Sequence, residues 1–381
     1  ANTTGNQNVA VGSGALGANT TAGTNTAVGY NALDVNTTGD QLVAVGANAL
    51  GANTTGNHNV AIGEAALTSN TTAANNTAVG KSALQNNTTG TGNLAVGTNA
   101  LDANTTGDYT VAVGRNALTG QTTGGNNTAV GDSALALNTT ASNNTALGYG
   151  SLYSNTTGAS NTAAGANSLD ANTTGQDNTA VGYNALSANT TGNYNTAVGY
   201  GSAEANTTGT LNVSVGYNSL EANTTGLGNV AIGKDALATN ASADYNVAIG
   251  KGAMLLNTTG GYNVAVGTGV LDANTTGVAN VAMGYNALGA NTTGTNNVAI
   301  GNGALDAVTT NAGEQVAIGV SSLGACTSGV SNTALGSRTL EVNTTGGYNV
   351  AVGDNALDAN TSASNNNALG YDALGANTTG T

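Results

Sequence analysis

The apolar residues of this chain recur in a fixed phrase instead of the rhythm of a helix. The phrase is an aliphatic run closed by glycine, as in residues 9–12, then an alanine–leucine pair and a polar Asn-Thr-Thr-Gly stretch. The closing glycine returns every 17 residues from Gly12 to Gly301 and from Gly319 to Gly370, with one 18-residue step between Gly301 and Gly319. A short fixed period indicates a repeat architecture, in which each unit packs against its neighbours.

Each copy predicts two short extended phrases joined by two turns. The first is a β-branched run such as residues 8–11, which glycine ends. The second centres on the alanine–leucine pair and leads into Asn-Thr-Thr-Gly, where threonine favours extended backbone and glycine is expected to supply a positive φ. Helix is disfavoured, because each interior glycine would cost it roughly 1 kcal/mol.

We therefore predict an all-β fold, a parallel β-solenoid (β-roll) of about 22 coils of 17 residues. Residues 1–381 are expected to form a single continuous array, and the mid-repeat start and stop lead us to expect an excerpt of a longer chain. A leucine column should fill the coil interior, interrupted at Ala203 and Met254; it begins with Leu16, Leu33, Leu50, Leu67 and Leu84.

Both faces of the first phrase are apolar. Ala27 and Val28 follow one another at its centre, and successive strand residues point to opposite faces. One face can line the coil interior, whereas the other needs a cover. We therefore expect self-association into a homo-oligomeric rod.

Two asparagine columns are nearly pure, and stacked amides can hydrogen-bond from coil to coil. The first column contains Asn8, Asn25, Asn59, Asn76 and Asn93, and the second contains Asn2, Asn19, Asn36, Asn53 and Asn70. We interpret both as ladders that satisfy turn backbone. The second column also creates Asn-Thr-Thr sequons, and its candidate glycosylation sites are Asn36, Asn53, Asn104, Asn172, Asn223 and Asn274.

Composition narrows the function. The formal net charge is −14 with only 5 Lys and Arg, which argues against nucleic acid and anionic membrane surfaces as partners. No apolar run approaches the ~20 residues that span a bilayer, so we expect no membrane insertion. The single cysteine, Cys326, stands in the second asparagine column and is interpreted as a tolerated substitution, since one cysteine builds no disulfide framework.

No set of residues suggests catalysis, so we predict no enzyme activity, no cofactor and no metal. The one histidine, His58, occupies a variable column, and no Ser-His-Asp set can be assembled. The residues that follow the leucine column form an acid column, interpreted as a solvated face with calcium binding as the alternative. Its members are Asp34, Asp102, Asp170, Glu204, Glu221, Asp272, Asp306, Glu341 and Asp358.

Tyrosines cluster in two further columns, which we interpret as exposed or inter-chain packing, with a carbohydrate-stacking strip as the alternative. One column follows the glycine, with Tyr30, Tyr149, Tyr183, Tyr200, Tyr217, Tyr285 and Tyr371. The other precedes the strand, with Tyr109, Tyr194, Tyr245, Tyr262 and Tyr348.

The phrase in residues 297–301, Asn-Val-Ala-Ile-Gly, resembles the head repeats of trimeric autotransporter adhesins. The longer unit, as in residues 25–39, is similar to repeats of phage tail-fibre and bacterial surface-fibre proteins. The resemblance covers the whole chain, although the adhesin head repeat is shorter than the 17-residue unit. The resemblance implies a left-handed roll that forms a homotrimer or filament. It also implies an extracellular location on a cell surface or virion, with a host-surface glycan or protein as receptor.

We predict a non-catalytic structural or adhesive fibre shaft. The alternative is an ice-binding or other flat-surface-binding solenoid, because Asn-x-Thr pairs such as Asn36 and Thr38, or Asn53 and Thr55, could build a regular array. A glycan-degrading enzyme is a third hypothesis, against which the lack of paired acids in a unique coil counts.

Overall fold

The computed structural model describes residues 2–309 and 313–380. It forms two compact units, residues 1–191 and residues 192–381. Every regular element in the described residues is a three-residue β-strand, and none of these residues is helical.

The described residues of each unit contain eleven strands, one per repeat. Those of the first unit are β1 (Val9–Val11), β2 (Thr26–Val28), β3 (Val43–Val45), β4 (Val60–Ile62), β5 (Thr77–Val79), β6 (Leu94–Val96), β7 (Val111–Val113), β8 (Thr128–Val130), β9 (Thr145–Leu147), β10 (Thr162–Ala164) and β11 (Thr179–Val181). Those of the second are β12 (Thr196–Val198), β13 (Val213–Val215), β14 (Val230–Ile232), β15 (Val247–Ile249), β16 (Val264–Val266), β17 (Val281–Met283), β18 (Val298–Ile300), β19 (Val316–Ile318), β20 (Thr333–Leu335), β21 (Val350–Val352) and β22 (Asn367–Leu369).

Within each unit, consecutive strands pair in parallel and in register. Thr26 of β2 lies beside Val43 of β3, and Ala27 beside Ala44, one period further along the chain. Between β18 and β19 the pairing joins residues 18 apart, Val298 to Val316, so the inserted residue leaves the strand register unchanged. This pairing confirms the predicted all-β parallel solenoid with coils of 17 residues, whereas its left-handed sense stays a prediction.

From β2 to β22 the middle residue of each strand is buried in the coil interior and the two flanking residues face outward. Ala27 is fully buried, while Thr26 and Val28 on either side of it are half-buried. We call the first and third residues of all strands the outer strand face. The expectation that both faces of this phrase are apolar is confirmed, because small alanines fill the inside and larger aliphatic residues lie outside.

The prediction of a second extended phrase around the alanine–leucine pair is wrong. Leu33 adopts a left-handed backbone conformation with φ 52°, inside a turn. That conformation costs an L-residue about 1–2 kcal/mol. The cost is offset because the Leu33 side chain is fully buried, which contributes about 1.5–3 kcal/mol, and because its N–H donates to the Ala49 carbonyl of the next coil at 3.1 Å.

The glycine of Asn-Thr-Thr-Gly does not supply the positive φ, contrary to expectation. The positive φ belongs instead to the glycine that closes the strand, as at Gly29 with φ 138°. Gly39 of the Asn-Thr-Thr-Gly stretch is needed for space, because a Cβ there would lie 2.5 Å from the carbonyl oxygen of Gly56 and 2.5 Å from Oδ1 of Asn36. Close stacking of coils therefore excludes a side chain at this position.

The interruption of the leucine column at Ala203 adjoins a buried cluster of hydroxyl groups. Ser214 replaces the inward alanine of β13, and its Oγ lies 2.8 Å from Oγ of Ser202 and 2.6 Å from Oγ of Ser219. All three serines are fully buried. Since each hydroxyl finds a partner within the cluster, the coils accept these polar residues in the interior.

We predict that Gly29→Ala lowers the free energy of unfolding by more than about 1 kcal/mol, because alanine is strained at this φ. The new Cβ would also lie 2.5 Å from the carbonyl oxygen of Gly46 in the next coil. Urea unfolding followed by circular dichroism measures the loss.

The matched control is Gly51→Ala. Gly51 has no positive φ, the nearest atom to its Cβ position is the Asn48 carbonyl oxygen at 3.2 Å, and the same position holds Thr68 in the next coil. We expect a change within about 0.5 kcal/mol. Equal losses in the two variants would contradict the conformational role of Gly29.

Candidate functional site

The first asparagine column closes each coil from the inside. The Asn25 side chain is fully buried, and its Nδ2 donates to the carbonyl of Gly39, 14 residues later, at 3.0 Å. Its Oδ1 accepts the N–H of Leu42, in the following coil, at 2.9 Å. One side chain therefore ties the strand to the opposite turn and to the next coil.

The second asparagine column forms a ladder of side-chain amides. Nδ2 of Asn53 donates to Oδ1 of Asn36 at 2.9 Å and to the carbonyl of Gly56 at 3.1 Å. Oδ1 of Asn53 accepts in turn from Nδ2 of Asn70 at 2.9 Å. Both columns thus act as structural ladders, as the sequence predicted.

The six candidate glycosylation sites all lie on this second ladder. In each, Nδ2 donates to the preceding asparagine of the column and to a glycine carbonyl three residues later, and the side chain is fully buried. They are Asn36, Asn53, Asn104, Asn172, Asn223 and Asn274. A glycan is attached at Nδ2, so the side chain would have to leave the interior, and this geometry counts against glycosylation of the folded coil.

Where one asparagine column lacks an amide, a glutamine in the other column compensates for it. Thr110 replaces an asparagine of the first column, and the second column there carries the longer Gln121. Nε2 of Gln121 donates to Oγ1 of Thr110 at 3.3 Å, and its Oε1 accepts from Nδ2 of Asn127 at 2.7 Å. A glutamine therefore bridges the two columns where an amide is missing.

Cys326 shows the same compensation. It is buried in the second column with Sγ 3.9 Å from the carbonyl oxygen of Gly329, and burial raises the pKa of the thiol. The carbonyl of Gly329 accepts a hydrogen bond from Nε2 of Gln315, a glutamine in the first column. The interpretation of Cys326 as a tolerated interior substitution fits this arrangement.

Shallow recesses lie beside the acid column within each unit. Three of them, two in the first unit and one in the second, are each lined by the acid column and by the column two residues after the closing glycine. One of about 490 Å³ is lined by residues between Asn31 and Gln85, one of about 350 Å³ by residues between Ser133 and Asp170, and one of about 510 Å³ by residues between Tyr285 and Val342. We call this surface the groove face.

The acids of the groove face lean over glycines of neighbouring coils. A Cβ on Gly289 would lie 2.8 Å from Oδ1 of Asp306 and 3.6 Å from Oδ1 of Asp272, which flank it in the acid column. Burial raises the pKa of both carboxyl groups, and the charge of Asp306 adds to the rise at Asp272. At Asp272 and Asp306 the acid column is thus partly desolvated instead of fully solvated.

Tyrosines of successive coils pack on one another at the surface. Tyr200 and Tyr217 stack with ring centroids 5.3 Å apart, as do Tyr245 and Tyr262, and Nζ of Lys234 lies 5.5 Å from the centroid of the Tyr217 ring. All four rings are about half exposed or more. The tyrosines missed by the column analysis include Tyr153, which stands in the acid column.

The remaining candidates from the sequence are His58, possible metal ligands and possible membrane-spanning segments. His58 is exposed at a bend of the coil. Within residues 2–309 and 313–380, no three His, Cys, Asp or Glu side chains are grouped so that they could hold a metal ion. In the same residues, no helix offers the length and apolar surface that crossing a membrane requires.

The array expected for a flat-surface-binding solenoid does not form from the Asn-x-Thr pairs. Asn36 and Asn53 point into the coil and are fully buried, whereas Thr38 and Thr55 are exposed. The two members of each pair therefore do not share a surface, and these pairs do not support ice binding.

No protein-family model matches the chain, and no curated protein matches it at a significant level of sequence similarity.

We predict that Asn53→Ala destabilises the protein, because it leaves Oδ1 of Asn36, Nδ2 of Asn70 and the carbonyl of Gly56 without this partner. A buried polar group left unsatisfied costs about 1–3 kcal/mol, so a loss of at least ~2 kcal/mol is expected in urea unfolding. The control is Thr55→Ala, which removes the same sequon at an exposed position and should be nearly neutral.

The same pair tests glycosylation. When the protein is secreted from a glycosylating host, the peptide that contains Asn53 should carry no carbohydrate mass, so neither variant should lose one. A carbohydrate mass lost equally from both variants would show that Asn53 lies outside the coil.

We predict that Asp272→Asn and Asp306→Asn stabilise the protein at pH 7. Burial raises the folded-state pKa of both carboxyls above the ordinary 3.8, so ionisation costs more in the folded state than in the unfolded state. Stability should therefore rise as the pH falls from 7 through the folded pKa toward 3.8, and each variant should lose part of that rise.

The control is Asp132→Asn. Arg115 holds the pKa of the Asp132 carboxyl below its ordinary range, through a hydrogen bond first and through charge, so removing this carboxylate should give no gain at pH 7. Melting temperature measured from pH 4 to pH 7 checks the gain expected for Asp272→Asn and Asp306→Asn and the absence of a gain for Asp132→Asn. A lower melting temperature for Asp272→Asn at pH 7 would contradict the account.

Proposed function

We propose that this chain is the shaft of a non-catalytic fibre, in which copies of the chain pack together through the outer strand face. The observation that carries the proposal is the apolar character of that face. In the second unit, eight of eleven strands begin with valine and all eleven end with an aliphatic residue or methionine. Ile232 and Ile249 are each 37% exposed and Met283 is 40% exposed.

The size of this face supports a second copy as its cover. Two outward side chains per strand over eleven strands, each roughly a third exposed, present on the order of 1,000 Å² per unit. The largest apolar patch of a typical monomer is ~300–600 Å², and a stable interface buries ~800 Å² on each partner. The face is therefore large enough for a stable contact.

Charge also favours a copy of the same chain. The chain carries 19 acidic and 5 basic residues, so two copies repel each other over most of their surfaces. None of the strand residues is charged. Contact through the outer strand face brings copies together where this repulsion is weakest.

The interior supports a mechanical role. Each coil repeats one backbone path, and the amides of both asparagine columns are used to bind the next coil, as Asn25 and Asn53 show. Such a unit lengthens by adding coils, each extending it by about 4.8 Å. The similarity of the repeat phrase to adhesin-head and tail-fibre repeats supports an extracellular place, on a cell surface or a virion, as a homotrimer or filament.

We predict that the wild-type protein sediments as a trimer or larger assembly, and that the double variant Ile232→Lys/Met283→Lys shifts it toward monomer. The two lysines lie three coils apart on the outer strand face, where burying an unpaired charge is costly. Sedimentation velocity over a range of concentrations measures the shift.

The matched control is Leu256→Lys/Val278→Lys. These side chains are equally apolar and are 48% and 37% exposed, but they lie outside the strands, so the assembly should persist. A wild-type protein that stays monomeric at every concentration would overturn the proposal, and thermal hysteresis in that monomer would favour a flat-surface-binding solenoid instead.

A further inference from the structure

One recess on the groove face differs from the others because two tyrosines wall it. Tyr149 and Tyr153 stand four residues apart on either side of Gly150, and Ser133, Asn167 and Asp170 of the adjacent coils complete the lining. We call these six residues the tyrosine recess. Its volume of about 350 Å³ is within the range of small-molecule sites, ~300–1,000 Å³.

The backbone holds both walls in place. The N–H of Gly150 donates to the Asp132 carbonyl at 3.1 Å, and the N–H of Tyr153 donates to the Gly150 carbonyl at 3.3 Å. The Tyr153 carbonyl accepts from the N–H of Leu137 at 3.0 Å. The turn between the two rings is therefore fixed by the coils around it, so little ordering is needed when a ligand binds.

Gly150 forms the open floor of the recess. Most coils carry a side chain at this position, such as Asn31 or Asn48. A Cβ on Gly150 would lie 3.1 Å from Oδ1 of Asn167. Glycine therefore leaves room between the rings and directs the Asn167 amide over that space.

The two rings keep faces free for a ligand. Tyr149 is 64% exposed and Tyr153 is 41% exposed. Along its column each ring has an alanine on one side, Ala166 beside Tyr149 and Ala136 beside Tyr153, and an aspartate on the other. Tyr217, in the same column as Tyr149, is instead covered by the ring of Tyr200.

The polar groups of the recess suit hydroxyl groups of a neutral ligand. The Asn167 amide and the two phenols both donate and accept hydrogen bonds, whereas the Asp170 carboxylate accepts them. The Ser133 hydroxyl already donates to Oδ1 of Asp132 at 2.9 Å and is left to accept from a ligand. Asp170 is half-buried, and Arg115, the nearby cation, is already paired with Asp132 at 2.5 Å. No positive charge is thus left over to attract an anion.

We propose that the tyrosine recess binds a neutral pyranose residue of a glycan. The C–H faces of the sugar ring pack against the tyrosine rings, and its hydroxyl groups bond to Ser133, Asn167 and Asp170. This site lies within the first unit and does not depend on self-association of the chain, so it stands or falls separately from the fibre proposal.

The test uses saturation-transfer NMR on the full chain with cellotriose, maltotriose and chitotriose as probes. At least one probe should bind at millimolar concentration, and Tyr149→Ala and Tyr153→Ala should each weaken its apparent Kd about fivefold or more. The control Tyr285→Ala, in the same column but four residues before Gly289, should leave the Kd within about twofold. The rings of Tyr149 and Tyr153 are exposed, so Tyr149→Ala and Tyr153→Ala should have the melting temperature of the wild-type protein.

A cationic ligand is the competing outcome. Choline is the second probe, because aromatic rings beside a carboxylate also suit a quaternary ammonium group. Asp170→Asn should leave trisaccharide binding largely intact, since an amide still bonds to hydroxyls, but should abolish choline binding. The proposal is overturned if no trisaccharide binds, if the tyrosine variants bind as well as wild type, or if only choline binds and needs Asp170.

Discussion

The fold rests on one constraint, the stacking of side-chain amides and peptide groups in register 17 residues apart. A buried amide is costly unless it is hydrogen-bonded, and here each interior asparagine bonds to the same column of a neighbouring coil, as Asn53 does with Asn36 and Asn70. The partners therefore exist only while the period is kept. This is why the strand register survives the single insertion, with Val298 still beside Val316.

The same constraint decides what the surface can carry. With the asparagines, alanine and leucine directed inward, the larger aliphatic residues of each strand, such as Val28, have no place inside and form the outer strand face. On the groove face, close stacking lets a carboxylate lie over the glycine of a neighbouring coil, as Asp306 does over Gly289. The outer strand face and the groove face thus arise from one interior arrangement, and we propose the first for assembly and the second for recognition.

Much of this architecture could be predicted from the sequence, because the same residue types recur at the same positions of each repeat. The period, the parallel pairing, the inward leucines and the asparagine ladders all follow from which residue types recur at which spacing. Local conformation was harder to predict. Leu33 is left-handed because coil closure and burial outweigh its backbone preference, and no local propensity signals that.

The tyrosine recess could not be predicted from columns alone. Tyr153 is a tyrosine in the acid column, and Asp170 occupies the same column one coil later. That these two face Tyr149 across a glycine depends on the turn that brings neighbouring columns together. The available signal was the exception itself: a tyrosine in the acid column, four residues after another tyrosine and three after a glycine.

Hydrogen exchange of asparagine side-chain amides, followed by NMR, tests the central claim most directly. The account predicts slow exchange of the Nδ2 hydrogens in both columns, because residues such as Asn25 and Asn53 are fully buried and hydrogen-bonded. Exposed asparagines such as Asn302 should exchange at the rate of a free amide. Free-amide rates throughout would contradict the account, because they would place the asparagine columns outside the coil.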